Sequence, residues 1–194
     1  MNVDSAESTE PLKRILYDVV VVSYNQRDRL LACLAAAAAA ESTVRLIVVD
    51  NASADGSAEA VTVAHPDADL IALPTNVGFA AAVNRGAAIG DAPYILLLNN
   101  DARLGPDVLE RMRQALDNER VEAVGPRLLG PDGQIELSLD RTLSPWNEAR
   151  FRVLGALYGS GRGPVAAHIR RRYASSRDVV SLSGACILLR REAF

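Results

Sequence analysis

Short apolar runs rich in β-branched residues and leucine alternate with helix-forming segments through residues 18–124, and this alternation constrains the fold most. The apolar runs lie at residues 18–22, 46–49, 70–73, 94–98 and 121–124. Runs of this length without polar alternation are typical of strands buried on both faces of a parallel sheet. The pattern predicts a doubly wound, mostly parallel α/β sheet.

Four segments between these runs have helix-forming composition. They cover residues 27–40, 57–64, 79–89 and 107–118. The first and third are rich in alanine, which favours helices, and Pro106 stands directly before the fourth, where proline suits a helix start. Each strand is therefore expected to connect to the next through a covering helix.

The regular alternation ends after Pro126. The turn-forming residues 130–133 predict a small hairpin, and residues 182–189 predict one further strand. Between them, residues 140–178 are irregular and rich in arginine.

Charge is spread unevenly along the chain. Eight arginines and one acid lie between Arg141 and Arg177, so that stretch carries +7 and the remainder −10, for a formal net charge of −3. A basic stretch on an acidic body indicates an anionic partner that is met locally, such as a phosphate or a membrane surface.

Other features favour a cytoplasmic protein. Cys33 and Cys186 lack the spacing of a zinc site or a disulfide framework, which suits a reducing compartment. The polar, acidic start is unlike a signal peptide. No apolar run approaches the roughly 20 residues that a membrane-spanning helix needs.

Polar side chains follow four of the predicted strands at the point where each strand ends. They are residues 23–25 (Ser-Tyr-Asn), 50–53 (Asp-Asn-Ala-Ser), 76–78 (Asn-Val-Gly) and 99–101 (Asn-Asn-Asp). In an open parallel sheet the carboxyl ends of the strands meet at one edge, and ligands bind there near the reversal of strand order. The sequence therefore predicts a binding site at this edge.

The residue types at this edge indicate a nucleoside diphosphate. Asp50 can accept a hydrogen bond from a ribose hydroxyl or a base N–H, and Tyr24 can stack on a base. Asp101 can hold a hard divalent cation beside phosphates. The helix that opens after Gly78 attracts anions at its amino end. A metal held by one carboxylate and the phosphates neutralises a diphosphate leaving group without a proton.

Each of these residues also has a purely structural interpretation. Asp50 can cap the turn that follows it, residues 99–101 can form a strand-ending turn, and Tyr24 can be a packing residue. The functional interpretation depends on the four segments together.

In this order, the segments resemble the family 2 glycosyltransferases, which have the glycosyltransferase A-type fold, and particularly bacterial rhamnosyltransferase-like members. The matching segments are residues 20–25, 48–57, 76–84, 98–101 and 183–186, and the resemblance covers residues 18–194. It implies an inverting transferase that moves a sugar from a UDP- or dTDP-sugar to a hydroxyl of a glycan or lipid-linked acceptor. The implied process is cell-surface polysaccharide synthesis.

The resemblance also implies roles for individual residues. Those implied to hold the base and the ribose are Ser23, Tyr24, Asn25 and Asp50. Those implied to shape the diphosphate and sugar pocket are Asn76, Gly78, Asn84, Asn99 and Asn100. Those implied to lie near the acceptor are Ser183, Gly184 and Ala185. Asp101 corresponds to the metal-binding end of the family's Asp-x-Asp motif, for Mn²⁺ or Mg²⁺. Asn99 takes the first position of that motif here, so one carboxylate is missing.

The family's general base lies in a Glu-Asp pair beyond the last strand, and this chain contains no such pair. Asp178 and Glu192 are the nearest acids, and neither is favoured for the role. The resemblance therefore implies a C-terminally incomplete chain that binds the donor and lacks the catalytic base.

The expected organisation is a flexible tail at residues 1–17 and a single domain at residues 18–194. Within that domain, residues 18–126 form the nucleotide-sugar-binding part, and residues 127–194 form a partial acceptor-binding part.

The arginine-rich stretch has three interpretations. Trp146, Phe151, Leu154 and Tyr158 recur at roughly helical spacing among its arginines. An interfacial helix on anionic lipid, through residues 141–177 at the inner face of the membrane, has this pattern. A lid over a lipid-linked phosphate acceptor has it too, as does a solvated helix that packs on the sheet by its aromatic edge.

Several other classes of protein lack their signatures here. A nicotinamide dehydrogenase needs a Gly-x-Gly-x-x-Gly turn after the first strand, where residues 23–25 stand instead, and no Gly-Lys-Ser/Thr phosphate loop is present. The acidic remainder and the lack of interleaved aromatics at residues 170–172 argue against nucleic acid. The remaining alternative is a non-catalytic nucleotide-binding or scaffold module on the same fold.

Overall fold

The computed structural model describes residues 14–40, 43–136, 158 and 163–194. The strands in these ranges are β1 (Tyr17–Ser23), β2 (Val44–Asp50), β3 (Asp69–Ala72), β4 (Tyr94–Asn99), β5 (Ala123–Val124) and β6 (Cys186–Arg190). The α-helices are α1 (Arg27–Ala40), α2 (Ser57–Ala64), α3 (Phe79–Ala87), α4 (Val108–Leu116) and α5 (Gly163–Arg172). A short 3-10 helix at Arg191–Ala193 follows β6.

The strands form one mostly parallel sheet in the order β3-β2-β1-β4-β6-β5. β1 pairs in parallel with β2 and β4, and β2 pairs in parallel with β3. β6 is antiparallel to both of its neighbours, β4 and β5. The strand order reverses between β1 and β4, because β2 and β3 extend to one side of β1 and the later strands to the other. The predicted α/β sheet is confirmed.

Helices cover both faces of the sheet, because alternate residues of a strand point to opposite faces. Val19 and Val21 of β1 lie in the larger core cluster with Leu30 of α1 and Met112 of α4. Val20, between them, lies in a separate cluster with residues of α3. The central strands are therefore buried on both sides, which is why they contain apolar runs without alternation.

Gly86 allows α3 to approach the sheet closely. A Cβ atom at this position would lie 2.6 Å from Val20 Cγ1 and 3.0 Å from Val49 Cγ2. A glycine inside a helix costs roughly 0.5–1 kcal/mol relative to alanine. Here the close packing of α3 against β1 and β2 requires it.

Several predicted boundaries agree with the structure and others shift. α1 and α2 have the predicted bounds, and the predicted hairpin forms an antiparallel bridge between Leu129 and Ile135. The tail was predicted to include Tyr17, but Tyr17 is the first residue of β1 and is buried. The last strand begins at Cys186 rather than residue 182, and Leu182 instead contacts the loop at Gly125.

Part of the sequence predictions lies outside the described residues. This applies to residues 1–13 of the predicted tail and to Trp146, Phe151 and Leu154 of the arginine-rich stretch. Tyr158 is described, and it is buried against Ile135, Ala166 and Ile169. None of the helices in the described ranges is both long and apolar enough to span a bilayer.

Candidate functional site

The ends of β1, β2 and β4 lie side by side at the carboxyl edge of the sheet, where the strand order reverses. Ser23 pairs with Asp50 in register between β1 and β2. Val22 pairs with Asn99 between β1 and β4. Asn100 Nδ2 donates to Ser23 Oγ over 3.2 Å, and both side chains are buried. This is the topological switch point, where open α/β sheets commonly bind ligands.

The two carboxylate oxygens of Asp50 have different surroundings, although the residue is only 3% exposed. Oδ2 accepts the backbone N–H of Ser53 over 3.1 Å. Oδ1 is buried without a hydrogen-bond partner among the described residues. An unpaired buried polar group costs about 1–3 kcal/mol, and most such groups in native proteins are paired. Asp50 therefore caps the turn with one oxygen, and its other oxygen has no hydrogen bond among the described residues.

Asn25 locks the β1–α1 loop against the loop that follows β2. Its backbone N–H donates to Ser53 Oγ over 3.0 Å, and its Oδ1 accepts the backbone N–H of Ala54 over 2.8 Å. It has a positive φ of 52°, a conformation that asparagine tolerates better than most residues. Tyr24, the preceding residue, is 49% exposed, so its ring is accessible at this edge of the sheet.

Asp55 joins the amino ends of two helices. Its Oδ2 accepts the backbone N–H of Arg27 at the start of α1 over 2.9 Å. Its Oδ1 accepts both the backbone N–H and the hydroxyl of Ser57 at the start of α2. The Ser57 hydroxyl, followed by the Arg27 N–H, holds the pKa of Asp55 below its ordinary value. The charged carboxylate therefore fixes the β1–α1 loop, which contains Asn25, to the loop after β2, which contains Ser53.

Asn51 connects the loop after β2 to the loop after β3. Its Nδ2 donates to Asn76 Oδ1 over 2.9 Å, and its Oδ1 accepts the backbone N–H of Val77 over 2.9 Å. Asn76 Oδ1 also accepts the backbone N–H of Gly78 over 2.9 Å. These bonds join the second and third predicted site segments.

Gly78 directly precedes α3 and has a positive φ of 82°, which favours glycine. Its backbone bond to Asn76 fixes the entry into the helix. Asn84 lies further along α3 and is exposed. No hydrogen bond in the described ranges connects the Asn84 side chain to the other candidate residues.

The loop after β4 presents Asp101 to solvent. Asp101 is an exposed residue whose Oδ1 accepts from Asn99 Nδ2 over 2.8 Å, while its Oδ2 has no hydrogen bond among the described residues. Asn99, at the first position of the motif, thus orients the single carboxylate of this loop. No group of three or more His, Cys, Asp or Glu residues suited to a metal ion occurs in the described part of the chain. A cation here would need ligands from a bound molecule in addition to Asp101.

Two buried thiols lie behind this loop. Cys33 Sγ is 3.5 Å from the carbonyl oxygen of Asn99. Burial, and secondly the negative charge of Asp101, raises the pKa of the Cys33 thiol to about 12. Burial also raises the pKa of Cys186 on β6 to about 12. Both thiols therefore stay protonated near neutral pH, and thiolate chemistry is not available to them.

The predicted acceptor-side residues lie beside Asn99, because β6 is antiparallel and begins at the carboxyl edge of the parallel strands. The backbone N–H of Asn99 donates to the carbonyl oxygen of Ala185 over 2.9 Å. Ser183 Oγ accepts the N–H of Ala185 over 3.3 Å, and Gly184 between them is exposed. Glu192 follows β6 and lies at the opposite edge, since Arg190 pairs with Tyr94 at the start of β4.

Sequence reasoning missed three residues that shape the site. Asn51, Ser53 and Asp55 were predicted only as part of the segment after β2, without roles of their own. They supply the bonds that hold the loops around Asp50. The available signal was the density of hydrogen-bonding side chains in a segment of only a few residues.

The strand order and the position of the candidate site agree with the resemblance to the family 2 glycosyltransferases. The model of the family described as glycosyl transferase family 2 matches residues 18–194. The chain belongs to glycosyltransferase family 2, and its fold is the glycosyltransferase A type.

One relative is named as a rhamnosyltransferase and another as a succinoglycan biosynthesis protein. The chain is 31% identical over 191 residues to the N-acetylglucosaminyl-diphospho-decaprenol L-rhamnosyltransferase of Mycobacterium tuberculosis, covering 91% of this chain and 62% of the relative. It is 35% identical over 141 residues to the succinoglycan biosynthesis protein ExoO of Rhizobium meliloti, covering 71% of this chain and 39% of the relative. The chain thus spans less than two thirds of the length of either relative.

Solved structures share the fold. The mannosyltransferase PcManGT of Pyrobaculum calidifontis, in complex with GDP-Man and Mn²⁺, matches with a TM-score of 0.54 and 25% identity, covering 63% of this chain and 38% of that chain. TarS of S. aureus matches with a TM-score of 0.56 and 18% identity, covering 66% of this chain and 40% of that chain. The TarS likeness concerns the fold alone.

Proposed function

We propose that this chain is the donor-binding part of an inverting glycosyltransferase. This glycosyltransferase moves a sugar from a UDP- or dTDP-sugar to a hydroxyl of a glycan or a lipid-linked saccharide in cell-surface polysaccharide synthesis. The observation that carries the proposal is the buried Oδ1 of Asp50 at the switch point of the sheet, which has no hydrogen-bond partner in the described part of the chain. Membership of glycosyltransferase family 2 over residues 18–194 supports it.

In this proposal the nucleoside lies against Asp50 and Tyr24. Asp50 Oδ1 accepts a hydrogen bond from the base N–H or a ribose hydroxyl, which satisfies the buried oxygen. The exposed ring of Tyr24 stacks on the base. Asn25 fixes the loop that carries Tyr24. Ser23 is fully buried and holds Asn100, so its role is to position the ends of β1 and β4.

The diphosphate lies between Asp101 and the loop before α3. A divalent cation, Mn²⁺ or Mg²⁺, fits the oxygen donor at Asp101 Oδ2 with the phosphates as its other ligands. When bound, the metal neutralises the charge that develops on the diphosphate leaving group. The relative from Pyrobaculum calidifontis, solved with GDP-Man and Mn²⁺, supports this assignment. Asn76 and Gly78 hold the loop that faces the sugar and its phosphate.

The acceptor lies beyond the donor, along the start of β6. Residues 183–185 are next to Asn99 and leave Gly184 exposed, so a hydroxyl can approach the donor sugar from that side. The proposed acceptor class is supported by the relative in Mycobacterium tuberculosis, whose name specifies a saccharide on a diphospho-decaprenol carrier. Contact of residues 141–177 with the inner face of the membrane remains a prediction.

Calorimetric titration with UDP and dTDP, each with and without Mn²⁺, tests the proposal. The wild type is expected to bind at least one nucleotide more tightly with Mn²⁺ than without it. Asp101→Asn is expected to lose most of that difference, because the substitution removes the carboxylate that holds the metal. Asp67→Asn is the matched control, since Asp67 is also exposed but lies at the opposite edge of the sheet. Failure of both nucleotides to bind would contradict the proposal. Binding without sugar transfer by the full-length protein would favour a non-catalytic module.

A further inference from the structure

A cavity of about 350 Å³ lies outside the nucleotide site, between the predicted hairpin and α5. Its described lining consists of Arg127, Leu129, Gly133, Gln134, Ile135, Tyr158 and Arg170. The lining combines two guanidinium groups with an apolar surface, and it includes no carboxylate among the described residues. This composition suits an anionic group attached to a hydrocarbon.

The cavity is built by several elements that fix its walls. The hairpin is closed by the Leu129–Ile135 bridge and by the bond from Gly130 N–H to the carbonyl oxygen of Gln134, over 2.8 Å. The backbone N–H of Ile135 donates to the hydroxyl of Tyr158 over 3.1 Å. Ile135 and Tyr158 are both buried. The apolar floor is therefore a formed structure beneath the two arginines.

Both arginines in the lining of this cavity are exposed residues, and they come from different parts of the chain. Arg127 precedes the hairpin, and Arg170 lies near the end of α5. The hairpin's own Asp132 is outside the lining, and its Oδ1 accepts the backbone N–H of Gln134 over 3.0 Å. Planar guanidinium groups bind phosphate oxygens through paired, charge-assisted hydrogen bonds.

The lining residue Arg127 follows β5, which runs in the same direction as β4. β5 is antiparallel to β6, which is antiparallel to β4, so the carboxyl ends of β4 and β5 lie at one edge. β5 is two strands from β4. With neighbouring strands roughly 4.8 Å apart, β4 and β5 are about 10 Å apart. β5 ends at Val124, level with Leu96 of β4, and Arg127 follows it after Gly125 and Pro126.

We propose that this cavity binds the phosphate or diphosphate ester that joins the acceptor saccharide to a hydrocarbon carrier. Arg127 and Arg170 bind the phosphate oxygens, and Leu129, Ile135 and the ring of Tyr158 contact the first carbons of the carrier. The saccharide then extends along residues 183–185 towards the donor. This inference rests on the proposed function, and it adds the site that recognises the acceptor's anionic group.

The test uses geranyl diphosphate as a soluble probe, titrated into the full-length protein in EDTA so that no metal-dependent site contributes. Arg127→Ala and Arg170→Ala are each expected to weaken binding about tenfold or more, because each removes charge-assisted bonds to phosphate. Arg171→Ala is the matched control, since Arg171 is exposed on the same helix and outside the lining. The affinity of Arg171→Ala for the probe is expected to lie within about twofold of the wild-type affinity. Thermal unfolding verifies that each variant is folded. Arg127→Lys keeps the positive charge but lacks the paired N–H donors of the guanidinium, so its affinity for the probe is expected to lie between those of wild type and Arg127→Ala.

Two further ligands separate the sources of the binding energy. Geraniol lacks the anion and inorganic diphosphate lacks the hydrocarbon, and both are expected to bind more weakly than the ester. Equal binding of geraniol, or unchanged binding by both alanine variants, would overturn the proposal. Equal binding of inorganic diphosphate would show a free-anion site and contradict the assignment to an ester.

Titration of the same variants with UDP and Mn²⁺ separates this inference from the proposed function. The arginine variants are expected to keep wild-type nucleotide binding. A wild type that binds geranyl diphosphate through both arginines but does not bind UDP would refute the nucleotide site and leave the anion site standing. A wild type that binds UDP but does not bind geranyl diphosphate through the two arginines would refute the anion site alone.

Discussion

The side chain of Asn51 donates to the side chain of Asn76 over 2.9 Å and so joins two loops at the carboxyl edge of the sheet. Asn51 also accepts the backbone N–H of Val77, and it is almost fully buried. One residue therefore positions the loop before α3 relative to Asp50, its neighbour in sequence. In the proposed function, donor binding depends on these loops being held before the ligand arrives, because ordering them on binding would lower the affinity.

Asn51→Ala is expected to destabilise the fold by roughly 1–3 kcal/mol, since it leaves the Val77 N–H without its acceptor and removes one of the two donors to Asn76 Oδ1. Urea denaturation measures this change. Thr75→Ala, an exposed position in the same loop, is the control and is expected to stay within about 0.5 kcal/mol of wild type. Equal stability of the two variants would show that the link between the loops contributes nothing.

The stability of the loop around Asn25 is expected to depend on pH through Asp55. The pKa of Asp55 is lowered from its ordinary value of 3.8, mainly by the hydroxyl of Ser57 and then by the N–H of Arg27. A carboxylate whose pKa is lower in the folded state stabilises the fold above its unfolded pKa. This contribution is lost as pH falls through the folded pKa.

Asp55→Asn is therefore expected to be less stable than wild type near neutral pH, with the difference narrowing as pH falls below about 4. Urea denaturation between about pH 7 and about pH 3 measures both curves. Asp67→Asn, which changes an exposed carboxylate outside this cluster, is expected to follow wild type throughout. If the difference in the free energy of unfolding between Asp55→Asn and wild type stays constant with pH, the role assigned to the charge of Asp55 is ruled out.

The close approach of α3 to the sheet makes Gly86→Ala destabilising. The added methyl would meet Val20 and Val49, and such overpacking costs typically about 1–3 kcal/mol. Higher helix propensity offsets up to about 1 kcal/mol of this. We expect a net loss of roughly 1–2 kcal/mol in denaturant unfolding. Gly184→Ala, where no atom lies within 4 Å of the added carbon, is expected to be near neutral. A stabilised Gly86→Ala variant would show that α3 can move away without loss.

The order of strands and helices along the chain follows directly from the sequence. The β-branched run in β1 is buried on both faces, and α1 contains no glycine or proline, so local composition identifies both. The position of β6 in the sheet does not follow from the sequence. Its pairing of Leu188 with Leu96 joins distant parts of the chain. Local pattern predicts that a strand exists but not which strand it pairs with or in which direction.

The convergence of the candidate residues at one edge of the sheet was predictable in outline for the same reason. Ser23, Asp50 and Asn99 stand at strand ends, and parallel strands bring their carboxyl ends together. The Asn51–Asn76 bond was not predictable, because it joins side chains 25 residues apart in two loops and leaves no periodic signal. The cavity at Arg127 and Arg170 likewise depends on tertiary packing.

At the opposite edge of the sheet, Arg191 is expected to be a major contributor to stability. Its guanidinium donates to the fully buried Asp18 over 2.5 Å and to the carbonyl oxygens of Ala92 and Ala87 over 2.6 and 2.8 Å. Removing one partner of a buried ion pair leaves an uncompensated charge and costs about 3–5 kcal/mol. We expect Arg191→Ala to lose stability on that order in urea denaturation.

Arg27→Ala is the control for this prediction. Arg27 also pairs with a carboxylate, Asp28, but their side chains are 50% and 87% exposed. Exposed pairs contribute about 0–1 kcal/mol. Equal losses in Arg191→Ala and Arg27→Ala would contradict the importance of burial for the Asp18 pair.

The most direct test of the central claim is calorimetric titration of UDP and Mn²⁺ into Asp50→Asn. The substitution keeps the size of the side chain but removes the charged acceptor at Oδ1, and a hydrogen bond to a charged group contributes about 1.5–3 kcal/mol. Asp18→Asn neutralises another buried carboxylate, at the opposite edge of the sheet, and serves as the control when measured well below its unfolding temperature. We predict a loss of affinity of roughly tenfold or more in Asp50→Asn and wild-type affinity in Asp18→Asn. Unchanged affinity in Asp50→Asn would contradict the assignment of the nucleotide to this edge of the sheet.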